Sequence, residues 1–330
     1  MRYHLFGRSG LRVSELFLGA MTYEDRGTLD RMLDVYLDAG GNVVDTASAY
    51  GDSEAFLGEL LGPRRDRLVL ATKYTLSRDR TDPNAGSNHR RSLRRSLDES
   101  LRRLRTDHVD LLWVHLWDPY TPLEETMRAL DDEVRAGRVL YVGFSDAPAW
   151  VVARANTLAE WRGWSPFVGV QIPYSLRHRD AERELLPMAD ALGLSVAAWG
   201  PLAGGVLTGK FLDDRGAAGG RVDPTTLGQR DHAAARAVVE VAAELGHTPA
   251  EVATAWLRAH RRTVHPIVGS RTVEQLQDSL GAARLDLPED AVARLESAAP
   301  FAAGYLADFI AESQAHPLLL GDVADRLEPR

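Results

Sequence analysis

The run Leu68-Val69-Leu70-Ala71-Thr72-Lys73 is a short apolar segment closed by a charge. An unbroken apolar stretch of this length reads as a strand buried on both faces, the kind that parallel sheets contain. Its last residue is telling, because of 39 basic residues only Lys73 and Lys210 are not arginine, so position 73 requires an ammonium. Two further runs end in the same manner. Asn42-Val43-Val44 leads into Asp45, with Tyr50 shortly after, and Val109-Asp110-Leu111-Leu112-Trp113-Val114 leads into His115. Asp45, Lys73 and His115 at strand ends, with Tyr50 in the loop after one of them, form a set of groups suited to moving a proton.

Outward from this segment, short apolar strands alternate with amphipathic helical stretches from about residue 15 to about residue 281, which implies parallel strands joined by crossover helices. The strands are expected at Leu16–Leu18, Asn42–Val44, Leu68–Thr72, Val109–Val114, Val139–Phe144, Val168–Ile172, Ser195–Ala198 and Thr263–Val268. Helices are expected at Leu29–Ala39, Ser53–Leu61, Ser92–Leu104, Leu123–Ala136, Ala181–Leu192 and Thr272–Leu280. Eight such units in a chain of this size predict an α/β fold, a (β/α)₈ barrel forming one domain over residues 1–330. Tyr3-His4-Leu5, Gly7-Arg8-Ser9-Gly10 and Val13-Ser14 read as a hairpin that would plug the bottom of the barrel. Leu76 to His89, Asp213 to Gln229 and the tail after Pro300 read as irregular, and long loops of this kind tend to cover a site.

Composition narrows the function. No apolar stretch approaches the roughly 20 residues of a membrane span, and Met1-Arg2-Tyr3-His4 lacks the apolar core of a signal peptide, so a cytoplasmic location is expected with no membrane partner. With no cysteine, thiolate chemistry is excluded, and a net charge of −8 argues against nucleic acid as a partner. The pairs Arg90-Arg91, Arg94-Arg95 and Arg102-Arg103, interleaved with Asp98 and Glu99, read as a solvated helix face. No coiled coil or interface stripe is present, which leaves a homo-oligomer open.

Barrel active sites sit at the carboxyl ends of the strands. Asp45, Lys73, His115, Ser145, Gln171, Trp199 and Gly269 to Arg271 all end strands here. Each alone has a bland explanation, as a cap, a core amide or a satisfied histidine. Together they would be costly to bury without a shared purpose.

At these positions the chain resembles the aldo-keto reductases. The string Asp45-Thr46-Ala47-Ser48-Ala49-Tyr50-Gly51-Asp52-Ser53-Glu54 is similar to the family signature D-T-A-x-x-Y-G-x-S-E. The resemblance continues through Lys73, Asp110 to His115, Gly143-Phe144-Ser145-Asp146, Trp199-Gly200-Pro201-Leu202 and Gly269-Ser270-Arg271 with Glu274-Gln275-Leu276. It implies an NADPH-dependent oxidoreductase acting on a small-molecule carbonyl substrate. Tyr50 would be the general acid, Lys73 would stabilise its phenolate and lower its pKa, Asp45 would hold Lys73, and His115 would orient the carbonyl. Ser145, Asp146 and Gln171 would hold the nicotinamide carboxamide, where many relatives carry Asn at the position of Asp146. Trp199 would stack on the nicotinamide. Gly19, Met21, Gly200, Pro201, Leu202, Gly204 and Lys210 would approach the cofactor, while Gly269, Ser270, Arg271 and Gln275 would grip the 2′-phosphate. Asp278 and Ser279 would lie near the adenine, with Ser279 where relatives often have Asn.

Tyr23, Trp117, Tyr174 and the tail from Phe301 to Phe309 are the expected walls of the substrate pocket, and their aromatic character suggests an apolar or ring-shaped substrate. Gly204-Gly205-Val206-Leu207-Thr208-Gly209-Lys210 fits G-x-x-x-x-G-K, but Phe211 replaces the magnesium-binding hydroxyl, so an ATPase reading is rejected. No metal site is expected, since the histidines lack ligand spacing and His260 and His265 flank the last strand on its amino-terminal side. Two alternatives stand beside the general reductase: a cofactor-binding regulatory subunit of a channel, and a reductase specialised for a keto-sugar or polyketide. The intact tetrad and the absence of a long amino-terminal extension favour the enzyme.

Overall fold

The computed structural model describes residues 1–21, 25–212, 222–314, 319 and 321–326. Strands β1 (Tyr3–Leu5) and β2 (Arg12–Ser14) pair as an antiparallel hairpin, Leu5 opposite Arg12. Then β3 (Phe17–Gly19), β4 (Val43–Asp45), β5 (Val69–Tyr74), β6 (Val109–Val114), β7 (Val139–Ser145), β8 (Phe167–Pro173), β9 (Ser195–Trp199) and β10 (Val264–Val268) form a closed parallel barrel. Closure is made by β10 on β3, with Ile267 opposite Phe17 and Val268 opposite Leu18. This is the (β/α)₈ barrel that the strand count predicts.

Helices α1 (Arg26–Asp38), α2 (Ser53–Leu60), α3 (Arg90–Leu104), α4 (Leu123–Arg135), α5 (Ala149–Arg162), α6 (Leu185–Leu192), α7 (Gln229–Leu245), α8 (Pro249–Ala259), α9 (Val273–Gly281), α10 (Glu289–Ala298) and α11 (Tyr305–Gln314) follow in order. Helical periodicity explains α3: Leu93, Leu97 and Leu104 bury one face, and Arg91, Arg94 and Arg102 are exposed on the other. Two helical expectations need correction. Ala181–Leu192 is not one helix but a 3₁₀ turn at Asp180–Glu182 followed by α6, because Pro187 has no N–H for the Arg183 carbonyl and its ring would collide with it. The tail beyond Pro300 is not wholly irregular, since it carries α11. Residues 213–221 of the expected loop, and Tyr23, lie outside the described residues. Among the described residues no helix is long and apolar enough to cross a membrane.

Strand alternation splits the apolar residues into two layers. On β5, Leu70 and Tyr74 join the layer under the helices, while Val69 and Ala71 join Phe17, Leu111 and Trp113 inside the barrel. The hairpin closes the amino-terminal end: Phe6 is fully buried there, edge-on to Trp113 at 6.2 Å. Gly143 makes room for that indole, since a Cβ on it would lie 2.4 Å from the Trp113 ring. Gly7, at φ +57°, donates to Ser195 Oγ at 2.8 Å and would place a Cβ 1.9 Å from the Val168 carbonyl oxygen.

His265 does not flank the last strand. It lies within β10, fully buried, its ring stacked 5.0 Å from Phe17 and its Nδ1 3.3 Å from the Ser14 carbonyl. His260, by contrast, ends α8 and bonds Glu296 at 2.7 Å. Burial, with help from His4 and Arg258, lowers the His265 pKa from 6.5 to about 3. The unfolded chain therefore binds a proton near pH 6.5 that the folded chain refuses until about 3, so stability is full above 6.5 and falls as pH drops below it. The slope from one such group is about 1.4 kcal/mol per pH unit. Thermal unfolding between pH 7 and pH 5 should show this loss, and His265→Leu should flatten it; an unchanged slope in the variant would assign the loss to other groups.

Candidate active site

A cavity of about 760 Å³ opens at the carboxyl ends of the barrel strands. Gly19, Asp45, Ser145 and Trp199 end β3, β4, β7 and β9, Gln171 lies near the end of β8, and Met21, Tyr50, His115 and Asp146 come from the loops after β3, β4, β6 and β7. Gly200, Pro201, Leu202, Gly204 and Lys210 form a second wall. Gly269, Ser270 and Arg271 after β10, with Gln275, Asp278 and Ser279 on α9, form a third.

Lys73 lies beneath this floor with its side chain fully buried. Its ammonium pairs with the Asp45 carboxylate, donates to the Thr46 carbonyl at 2.9 Å, and sits 4.8 Å from the centre of the Tyr50 ring. The second Asp45 oxygen accepts from Gln171 Nε2 at 2.9 Å. Tyr50 meets His115 edge-on at 5.8 Å. The loop carrying Tyr50 is pinned at both ends. The Thr46 and Ser53 hydroxyls lie 2.8 Å apart, Ser53 donates to the Ala20 carbonyl at 2.6 Å, and buried Glu54 accepts from Thr72 and from Arg103. Several polar residues of the quoted motif thus hold the loop rather than face the cavity.

Burial opposes the charge on Lys73, but Asp45 and Tyr50 outweigh it and hold the pKa above the usual lysine value. Tyr50 departs from the expectation that Lys73 lowers its pKa. Burial raises it, Lys73 pulls it down, and Asp45 and Asp146 add to the rise, so the net direction is upward and the phenol is protonated at neutral pH. Burial and the neighbouring Lys73 lower the His115 pKa to about 3, leaving it neutral, and its Nδ1 is buried without a hydrogen-bond partner among the described residues. Asp146 adopts a left-handed φ of 45° and accepts from the Trp199 indole N–H at 3.1 Å; burial raises its pKa.

A family model described as the aldo/keto reductase family matches residues 15–300. The chain belongs to the aldo/keto reductase family. Norsolorinic acid reductase of Aspergillus flavus is 36% identical over 332 residues, covering 94% of this chain and 84% of that protein. The oxidoreductase YrpG of Bacillus subtilis is 39% identical over 318 residues, covering 91% and 96%. An NADP(+) aryl-alcohol dehydrogenase of Phanerodontia chrysosporium is 36% identical over 327 residues, covering 90% and 85%.

In this aldo/keto reductase two expected pocket residues do not line the cavity. Tyr174 follows Ile172 onto the outer face of the barrel by strand alternation, where it packs 5.4 Å from Trp256 and donates to Glu182 at 3.0 Å. Trp117 turns aside to meet Trp150 edge-on at 5.7 Å. Leu76, Gly205, Thr208 and Ala250 line the cavity without having been singled out as site residues. Leu76 opens one of the loops expected to cover a site, and Gly205 and Thr208 lie inside the rejected G-x-x-x-x-G-K string. That string forms 3₁₀ turns with left-handed Gly204 and Gly205 rather than a strand-loop-helix phosphate cradle. Ala250 is an ordinary helical alanine, and only the packing of α8 brings it to the cavity.

Proposed function

We propose that this aldo/keto reductase uses NADPH to reduce an aldehyde or ketone, with Tyr50 as the proton donor. The observation that carries the reading is Tyr50 and His115 together on the cavity wall above the buried Lys73–Asp45 pair. Bound NADPH would supply hydride to the carbonyl carbon. The protein's task is then to bind the carbonyl oxygen and protonate it. Tyr50, protonated at neutral pH, donates, and Lys73 beneath the ring stabilises the phenolate left behind. Neutral His115 can donate only one hydrogen. Leaving a lone pair at its partnerless Nδ1 costs less than leaving an unpaired N–H, which assigns the proton to Nε2 for the substrate oxygen.

The donor set suits NADPH. Ser270 and Arg271 precede α9, whose cap Thr272 accepts from the Gln275 N–H, and Arg271 N donates to Gln275 Oε1 at 2.9 Å. A guanidinium beside a helix amino terminus favours a phosphate, here the 2′-phosphate. Arg271→Ala should weaken NADPH binding roughly 10- to 100-fold, the value of a lost charge-assisted hydrogen bond. NADH should be nearly unaffected, and equal losses for both would remove Arg271 from the phosphate site. Met21, Ala49 and Leu76 give the cavity apolar lining. With relatives named for aryl alcohols and norsolorinic acid, this supports an aromatic carbonyl substrate. The test is titration with NADPH and NADH, then loss of nicotinamide absorbance with a panel of aromatic and aliphatic aldehydes and ketones. Turnover of aromatic members supports the reading; binding without turnover on any member leaves a specialised reductase or a regulatory subunit, and no binding overturns the cofactor assignment.

A further inference from the structure

We propose that Asp146 makes the site discriminate between the two redox states of the nicotinamide, holding the oxidised, positively charged ring more tightly than the reduced, neutral one. This rests on the NADPH reading above and goes beyond it to a property of one side chain. Three observations carry it.

Asp146 lines the cavity together with Ser145, Gln171 and Trp199. It is also held in place. The Asp146 N–H donates to the Gln171 carbonyl at 3.1 Å, its carbonyl accepts from Trp117 N at 3.4 Å, and its Oδ1 accepts from the Trp199 indole at 3.1 Å. Among the described residues no hydrogen bond reaches Oδ2, which is left to accept from a ligand. Finally, no cation among the described residues forms an ion pair with Asp146. Its side-chain partner is an uncharged N–H, and the cation acting on it, Lys73, is itself paired with Asp45. An asparagine here would have the same shape and tolerate the same left-handed backbone, but bring no charge.

When hydride passes from the nicotinamide to the carbonyl carbon, the C=O bond becomes C–O⁻ and takes the Tyr50 proton, while the ring gains one unit of positive charge. A fixed carboxylate lining the same partly buried cavity attracts that charge and is indifferent to the neutral ring. At the effective dielectric of such sites, one favourable charge pair is worth roughly tenfold or more in relative affinity. Stabilising the oxidised ring also favours hydride donation on the enzyme.

The test is calorimetric titration of wild type, Asp146→Asn and Trp199→Phe with NADP⁺ and with NADPH, in mildly alkaline buffer. The readout is the ratio of the two dissociation constants. Asp146→Asn should reduce the preference for NADP⁺ roughly tenfold, with most of the change in the NADP⁺ constant. Trp199→Phe, which keeps a ring but removes the N–H that fixes the carboxylate, should shift the ratio in the same direction by less. A structural role alone would weaken both cofactors equally, so an unchanged ratio in Asp146→Asn with both cofactors bound overturns the inference. Should that variant not fold, an unchanged ratio in Trp199→Phe does so. Failure of wild type to bind either cofactor would overturn the NADPH reading itself and this inference with it, a result distinct from an unmoved ratio.

Discussion

Tyr50→Phe is expected to lower carbonyl reduction on the order of 10³-fold while leaving NADPH affinity within a few-fold, because positioned general acids contribute about 10² to 10⁴. The substitution removes only the hydroxyl. The ring keeps its edge contact with His115 at 5.8 Å and its place 4.8 Å from the Lys73 ammonium, so the floor of the cavity stays packed. Stopped-flow absorbance with an aldehyde that the wild type turns over checks the rate, and fluorescence titration checks binding. Turnover near the wild-type rate would mean that another group donates the proton. A matched loss of rate and cofactor affinity would mean that Tyr50 shapes the cavity instead.

Lys73→Met should be the most destabilising change at the site. It leaves Asp45, itself buried, with a charge and, among the described residues, only the Gln171 amide to answer it. Breaking a buried ion pair from one side costs about 3–5 kcal/mol, since the survivor is an uncompensated charge. Urea unfolding should show that loss. The double variant Lys73→Met with Asp45→Asn should recover much of the stability, because no isolated charge remains, yet recover none of the activity. In the wild type Lys73 is the group that pulls the Tyr50 pKa down against burial, so removing it pushes the phenol higher still. Stability and activity moving together in the double variant would refute a chemical role for the ammonium.

The barrel was legible because each strand is a short apolar run and each helix an amphipathic one, patterns written in nearest neighbours along the chain. The cavity wall was legible at strand ends for the same reason. Asp45, Ser145 and Gln171 each interrupt an apolar run, and all three line the cavity. Residues without that contrast were not readable: Ala250 on α8 has no chemical mark. Aromatic character alone was misleading for Tyr174 and Trp117, which satisfy their rings against Trp256 and Trp150 instead.

The sign of the Tyr50 shift shows the same division. A lysine beside a tyrosine predicts a lowered pKa, but the depth of burial and the carboxylates of Asp45 and Asp146 reverse it, and both depend on residues far apart in the chain. His265 likewise reads as a flanking histidine until the hairpin folds under the barrel and encloses it against Phe17 and Phe6. By itself the sequence determined the eightfold βα alternation and the chemistry available at the strand ends, since these follow from local hydrophobic period and residue type, and its motifs carried the resemblance to the family. Tertiary structure alone decided which polar groups pair, which are desolvated and which aromatic rings face the cavity, because desolvation and Coulomb interaction depend on distances in space that barrel closure sets.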